Sequence, residues 1–215
     1  VCADDLSAHR GECLVVAGSH LSPQVHVIVN AINAALGNLG RTVEYIRAEP
    51  RTAATLADLA DAIKAGSVRT LVIFNGNPAY NAPADLDWAA LQQAVPQVIR
   101  YGYYVDETSA LAQVHISAAH YLESWGDART LDGTIVPIQP MILPLFNGLT
   151  EIEILARLAG VEKTNPYTLV YETITGLTGG DPEESFRRFL FDGLLKETGY
   201  EKTSVAFDAD GAARL

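Results

Sequence analysis

The stretch TLVIFNGNPAYNAPADLDW (Thr70–Trp88) decides the fold. Leu71–Phe74 is a short apolar run without alternation, which suits either a strand buried on both faces or a piece of buried helix. The residues that follow choose between the two. Asn75-Gly76-Asn77-Pro78 cannot continue a helix, because proline lacks the N–H and glycine and asparagine favour turns. A buried strand that ends in a Gly/Asn loop before a helix is the usual ligand-facing corner of an α/β sheet.

Working outward, the same punctuation recurs on both sides. Cys13–Ala17 (CLVVA) reads as a first buried strand, and Gly18-Ser19-His20 turns into a helix over Ser22–Leu36. Ser22 is placed as its cap and Pro23 at its first position. Val25, Ile28, Val29, Ile32 and Leu36 recur at helical spacing, Gly37 closes the helix, and Thr42–Ile46 alternates like a strand. A second helix is expected over Ala53–Lys64, with Leu56, Leu59, Ala60 and Ile63 on one face. A third is expected over Asp87–Val95, before the strand Gln97–Tyr101. Asp106 caps a short helix to Gln113, and Val114–Ile116 and Thr134–Ile138 are further strand candidates. Alternation of strands and helices at this spacing predicts an α/β fold, a three-layer α/β/α sandwich on a mainly parallel sheet. At least four parallel strands are expected, with Leu14–Ala17 and Leu71–Phe74 both central.

The texture changes after Leu149. Glu151–Leu158, Pro166–Thr175 and Pro182–Glu197 read as helices, the last capped by Asp181 and striped by Phe186, Phe189, Leu190 and Leu194. Gly176–Gly180 reads as a flexible joint. The division expected is therefore an α/β, Rossmann-like domain over 1–148 and a helical appendage over 149–215, the latter packed less tightly than the sheet domain.

Composition narrows the function. The 215 residues are 48% hydrophobic and 19% charged, enough apolar material for a core and too little charge for disorder. The formal net charge is −11, from 15 basic and 26 acidic residues, which counts against nucleic acid as a partner. No apolar run approaches the roughly 18–20 residues that span a membrane, so no direct membrane insertion is expected. Two cysteines, Cys2 and Cys13, are too few for a disulfide scaffold or a four-thiolate cluster, and both are expected as free thiols. The chain reads as an excised domain of a longer parent.

Three groups of residues could carry chemistry. The loops Gly18-Ser19-His20 and Asn75-Gly76-Asn77-Pro78 would open on the carboxyl edge of the sheet if their strands were neighbours. There glycine lets a ligand approach the backbone, and helix N-termini offer N–H groups to a phosphate. The same loops are equally tight turns without a ligand, and the chain has no GxGxxG or GxxxxGK[ST]. His20, His26, His115 and His120, with Glu123, lack the spacing of a metal site, so no metal is expected. Asp106, Glu107 and Thr108, with Glu123, Asp127 and Arg129, include carboxylates that burial could set apart for acid–base work. Asp106 as a helix cap and Glu123 with Arg129 as an ion pair are the structural alternatives.

The ordered set Gly76-Asn77-Pro78, Asp106-Glu107-Thr108-Ser109-Ala110, Tyr121-Leu122-Glu123 and Gly133-Thr134 resembles the molybdopterin oxidoreductase family. The longer wording HYLESWGDAR (His120–Arg129) is similar to one branch, the molybdopterin-oxidoreductase-like iron–sulfur subunit of the quinol-oxidising alternative complex III. The resemblance spans roughly Leu14–Leu145. It implies a Rossmann-like domain of a respiratory electron-transfer subunit at the periplasmic or extracytoplasmic face of the membrane. Its partners would be other domains of the parent and other subunits of the complex. It further implies that Gly18, Ser19, His20, Asn75, Gly76, Asn77 and Pro78, with Glu107 and Thr108, form the face that meets a molybdopterin guanine dinucleotide in active members. The metal-ligand region and any iron–sulfur clusters would lie elsewhere in the parent. The fragment itself is expected to be inactive and without cofactor. The alternative is a dinucleotide-binding domain of an active molybdenum oxidoreductase.

Overall fold

The computed structural model describes residues 1–47, 53–208 and 211. In chain order the elements are α1 (Cys2–Ala8), α2 (Pro23–Ala35), β1 (Tyr45–Ile46), α3 (Leu56–Lys64), β2 (Thr70–Phe74), α4 (Pro78–Asn81), α5 (Trp88–Ala94) and β3 (Gln97–Gly102). They continue with α6 (Glu107–Ala110), β4 (Val114–Ser117), β5 (Gly126–Arg129), β6 (Ile135–Ile138), α7 (Glu151–Leu158), α8 (Pro166–Leu177), α9 (Pro182–Asp192) and β7 (Lys202–Thr203). The chain forms two compact units, one from Val1–Glu49 with Gly199–Leu215 and the other from Pro50–Thr198. The units therefore do not part at residue 148. Residues 149–198 share a unit with the sheet.

In the larger unit, β2, β3 and β4 form a parallel sheet in that order, with Leu71 opposite Val98 and Ile99 opposite Val114. The α/β class holds, on a sheet of three strands. Two expectations fail here. Leu71–Phe74 is an edge of this sheet and Gln97–Gly102 its centre. Leu14–Ala17 belongs to the other unit and joins no ladder.

One sheet face is well covered. Leu71, Ile73 and Val98 pack with Ala60 and Ile63 of α3, Trp88 and Leu91 of α5, and Val95. Thr55 makes the packing of α3 possible by capping it: its hydroxyl accepts from Asp58 N while Asp58 returns to Thr55 N at 2.8 Å. On the opposite face Val72, Phe74, Ile99 and Ile116 are half-buried and Val114 is exposed.

A second core lies further along the same unit. The antiparallel hairpin β5–β6 brings Ile135 against Val170 and Ile174 of α8 and Phe186 and Phe189 of α9. Thr134–Ile138 is thus a hairpin arm and stands outside the parallel sheet. Val170 and Ile174 are wholly buried, so the helices after Leu149 share a close-packed core with the hairpin. α8 runs through Gly176, where a joint was expected. α9 stops at Gly193, in the left-handed region at φ 72°, and does not reach Glu197. The freed chain then makes a bridge in which Leu195 N donates to Ile135 O at 2.8 Å.

The smaller unit shows why CLVVA is not a strand. Val15 N donates to Asn33 Oδ1 at 3.1 Å, and Asn33 Nδ2 donates to Val15 O at 2.7 Å, so a buried side chain of α2 satisfies that peptide. Asn38, also buried, donates to Asn33 Oδ1, and Thr42 Oγ1 donates to Cys13 O. Leu14 and Val16 point to solvent. The expected parallel strand at Thr42–Ile46 shortens to β1, which pairs antiparallel with β7. The helical appendage proposed to reach Leu215 thus ends in a strand at Lys202–Thr203, and its residues beyond 208, Gly211 excepted, lie outside the described residues. Cys2 and Cys13 are free.

Candidate functional site

Three parallel strands that end together leave their carboxyl edge as a natural ligand face. Here Asn75 after β2, Tyr103 after β3 and Ala119 after β4 border a cleft of about 370 Å³. Its walls are aromatic, from Tyr101, Tyr103, Tyr121 and Trp125, and its two ionisable carboxylates are Asp127 of β5 and Glu151 of α7. No lysine or arginine among the described residues lines it.

The groups around the cleft are held in different ways. Asn75 sits at φ 55°, a left-handed conformation asparagine tolerates better than most residues, with its N donating to Tyr101 O at 2.9 Å. Asn75 Nδ2 lies 3.4 Å from Glu151 Oε2. The Tyr101 phenol donates to Leu149 O at 2.9 Å, and its pKa is pushed well up, first by burial and then by Glu151, Tyr103 and Glu153. Burial alone raises Asp127, and no hydrogen bond or ion pair among the described residues satisfies its carboxyl group. Thr150 caps α7 through its hydroxyl and starts the helix at the cleft wall.

Behind this edge lies a residue that the sequence reading passed over. Arg100 is 2% exposed in the middle of β3. One of its terminal nitrogens donates to Ile73 O and Tyr101 O, the other to Asn75 O at 3.1 Å and Asp106 Oδ2 at 2.8 Å. Its Nε has no partner among the described residues. The hydrogen bond from Arg100, with those from Ser109, holds the Asp106 carboxyl at about 2. A charge inside an otherwise apolar strand must be paired, and QVIRYGYYVD carries the partner six residues later. That spacing was the available signal.

The proposed cofactor residues divide between the units. Gly18, Ser19 and His20 are exposed in the smaller unit, in a turn closed by Leu21 N to Gly18 O. In the larger unit Asn75, Gly76, Asn77, Pro78, Glu107 and Thr108 come together. Asn77 Nδ2 donates to Glu107 Oε2 at 2.8 Å, and its Oδ1 accepts from Thr108 Oγ1 at 2.7 Å and Thr108 N at 3.3 Å. Thr108 also accepts from Ala79 N, and Gln92 donates to its carbonyl. These residues clasp α4 to α6, and the bond from Asn77 draws the Glu107 carboxyl below its ordinary range.

The histidines, too, divide between the units. His26 lies in α2, His115 bonds Ser109 Oγ at 3.0 Å, and His120 Nδ1 accepts from Leu122 N. No metal-holding group of histidine, cysteine and carboxylate occurs among the described residues. Glu123 accepts from His120 N and Leu145 N, while Arg129 donates to the carbonyls of Gly133 and Thr198. Ser109 stands between Asp106 and His115 and donates to the Asp106 carboxylate. Its hydroxyl thereby links the cap of α6 to the His115 ring on β4. The arrangement as a whole is equipped to bind and orient, through ring faces and carboxylates. No helix among the described residues is long and apolar enough to cross a membrane. No family model and no curated protein matches the chain.

Proposed function

We propose that this chain is a domain of a molybdopterin-oxidoreductase-like subunit of a respiratory electron-transfer complex, of the alternative complex III type, and that it is structural in isolation. One observation carries most of the weight. Asn77, Glu107 and Thr108, which the resemblance assigns to a dinucleotide face, spend their hydrogen bonds on one another. The adjoining cleft offers carboxylates where a pyrophosphate would need cations. The three-layer sandwich belongs to the same reading: the half-covered face with Val72, Ile99 and Ile116 would take its second layer from elsewhere in the parent. Iron–sulfur clusters would sit in other domains, and the assembly at the extracytoplasmic face of the membrane.

The second reading, a dinucleotide-binding domain of an active molybdenum enzyme, draws on Asn75 and Gly76. Both residues are exposed at the carboxyl edge, where a ligand could approach. Calorimetry with a guanine dinucleotide, beside metal analysis of the purified chain, separates the two. The structural reading expects neither saturable micromolar binding nor stoichiometric molybdenum. Micromolar binding that Asn77→Ala abolishes would establish the second.

A further inference from the structure

We propose that the cleft at the carboxyl edge of β2, β3 and β4 is a binding site for a small organic ammonium ion. This rests on the geometry of the larger unit and is independent of the family reading. At about 370 Å³ the cleft lies at the lower end of ligand-pocket sizes, too small for a dinucleotide. Tyr103, Tyr121 and Trp125 supply aromatic surface to its wall, and the negative face of such a ring attracts a cation and is indifferent to an anion. Asp127 supplies a half-buried carboxyl group with no hydrogen-bond or ion-pair partner among the described residues. Glu151, at the start of α7, adds a second carboxylate, tethered at one oxygen by Asn75. The nearby positive charge is not available to an anion: Arg100 is buried and its terminal nitrogens are already bonded to three carbonyls and Asp106.

A carboxylate without a counter-ion costs free energy in a half-buried place, and an ammonium ion removes that cost. Aromatic walls hold alkylated ammonium groups because such groups shed water readily and present a diffuse charge to the ring faces. Cation and carboxylate together therefore distinguish this site from a merely greasy cleft.

The test is titration of the 215-residue chain with choline, followed by amide chemical-shift changes, beside the uncharged isostere 3,3-dimethylbutan-1-ol and inorganic phosphate. Saturable choline binding is expected, with a Kd of about 1 mM, and the isostere should bind about tenfold more weakly. Asp127→Asn, which preserves shape, should weaken choline about fivefold while leaving the isostere unchanged. Tyr121→Leu, at an exposed ring, should weaken it about threefold. Thermal melts of both variants verify that the fold is kept. Equal binding of choline and the isostere, tighter binding of phosphate, or no saturable choline shift up to about 20 mM would each overturn the proposal.

Discussion

Arg100 shows how one buried charge organises an edge. Its guanidinium ties the end of β2, the end of β3 and the cap of α6 together, and in return Asp106 is held ionised. Removing one member of such a pair is far costlier than removing both, because the survivor is left charged and buried. Asp106→Asn should lose about 3 kcal/mol in urea unfolding at pH 6. Asp106 ordinarily titrates at 3.8 and here at about 2. Its folded value is the lower one, so the pair's stabilisation is whole above about pH 4 and fades as pH falls through 2. The gap between wild type and Asp106→Asn should accordingly narrow over that window. Other depressed carboxylates, such as Asp58 and Asp132, titrate in both proteins and cancel in the difference. A gap that stays constant from pH 5 to 2.5 would show that Asp106 is not ionised for the benefit of Arg100. Gly102 serves the same charge from the other side. A Cβ there would meet Arg100 Nη2 at 2.8 Å and Cζ at 2.9 Å, and the pinned guanidinium has nowhere to retreat. Gly102→Ala should cost about 2 kcal/mol, read from the urea midpoint.

At the scale of elements, helices were more legible than strands, for a physical reason. α2, α3, α7 and α8 announce themselves through local chemistry: Pro23 and Pro166 at first positions, Thr55, Thr150 and Asn165 as caps, and apolar stripes between. A strand depends on partners that its own residues do not name. CLVVA and TLVIF read alike, yet TLVIF finds a neighbouring strand and CLVVA finds the amide of Asn33. The candidate site was half legible. The Asn75–Pro78 loop and Glu107-Thr108 do meet, as their order suggested, but their hydrogen bonds turn inward. Tyr101, Asp127 and Glu151 face one cleft only because β5 and α7 return to the sheet edge, which no local pattern foretells. The overlong reading of α9 has a single cause in Gly193, where the left-handed backbone ends the helix. Gly193→Ala should therefore destabilise by about 1 kcal/mol, measured by thermal or chemical unfolding. An unchanged midpoint would mean that the helix can continue toward Glu197 at no cost.

Across the larger unit, the question of scale is whether its two apolar cores fold as one. The first is built on α3, α5 and the sheet, the second on β5–β6, α8 and α9, and no buried residue belongs to both. Polar bonds tie the sheet edge to the start of α7 between them. Leu149 bridges Ala118 beside β4, with Ala119 N donating to Leu149 O at 2.9 Å, and the Tyr101 phenol donates to the same carbonyl. Gly148 lies so close to Ala118 and Ala119 that a Cβ would come within 2.7 Å of the Ala119 nitrogen, so the crossing has no slack. Bonds of this kind contribute about 1 kcal/mol each, enough in number to make separate opening unfavourable. The chain carries a reporter in each core, since its two tryptophans are Trp88 in the first and Trp125 against the second. Ile174→Ala opens a cavity in the second core and should cost about 3 kcal/mol. Placed in a Trp125→Phe background, it should lower the urea midpoint reported by Trp88 as much as, in a Trp88→Phe background, it lowers that reported by Trp125. If Trp88 were blind to the cavity, the segment from Gly126 to Thr198 would fold on its own account. The cleft between sheet edge and hairpin would then be a seam between two folding units, and its ligand a clamp across them.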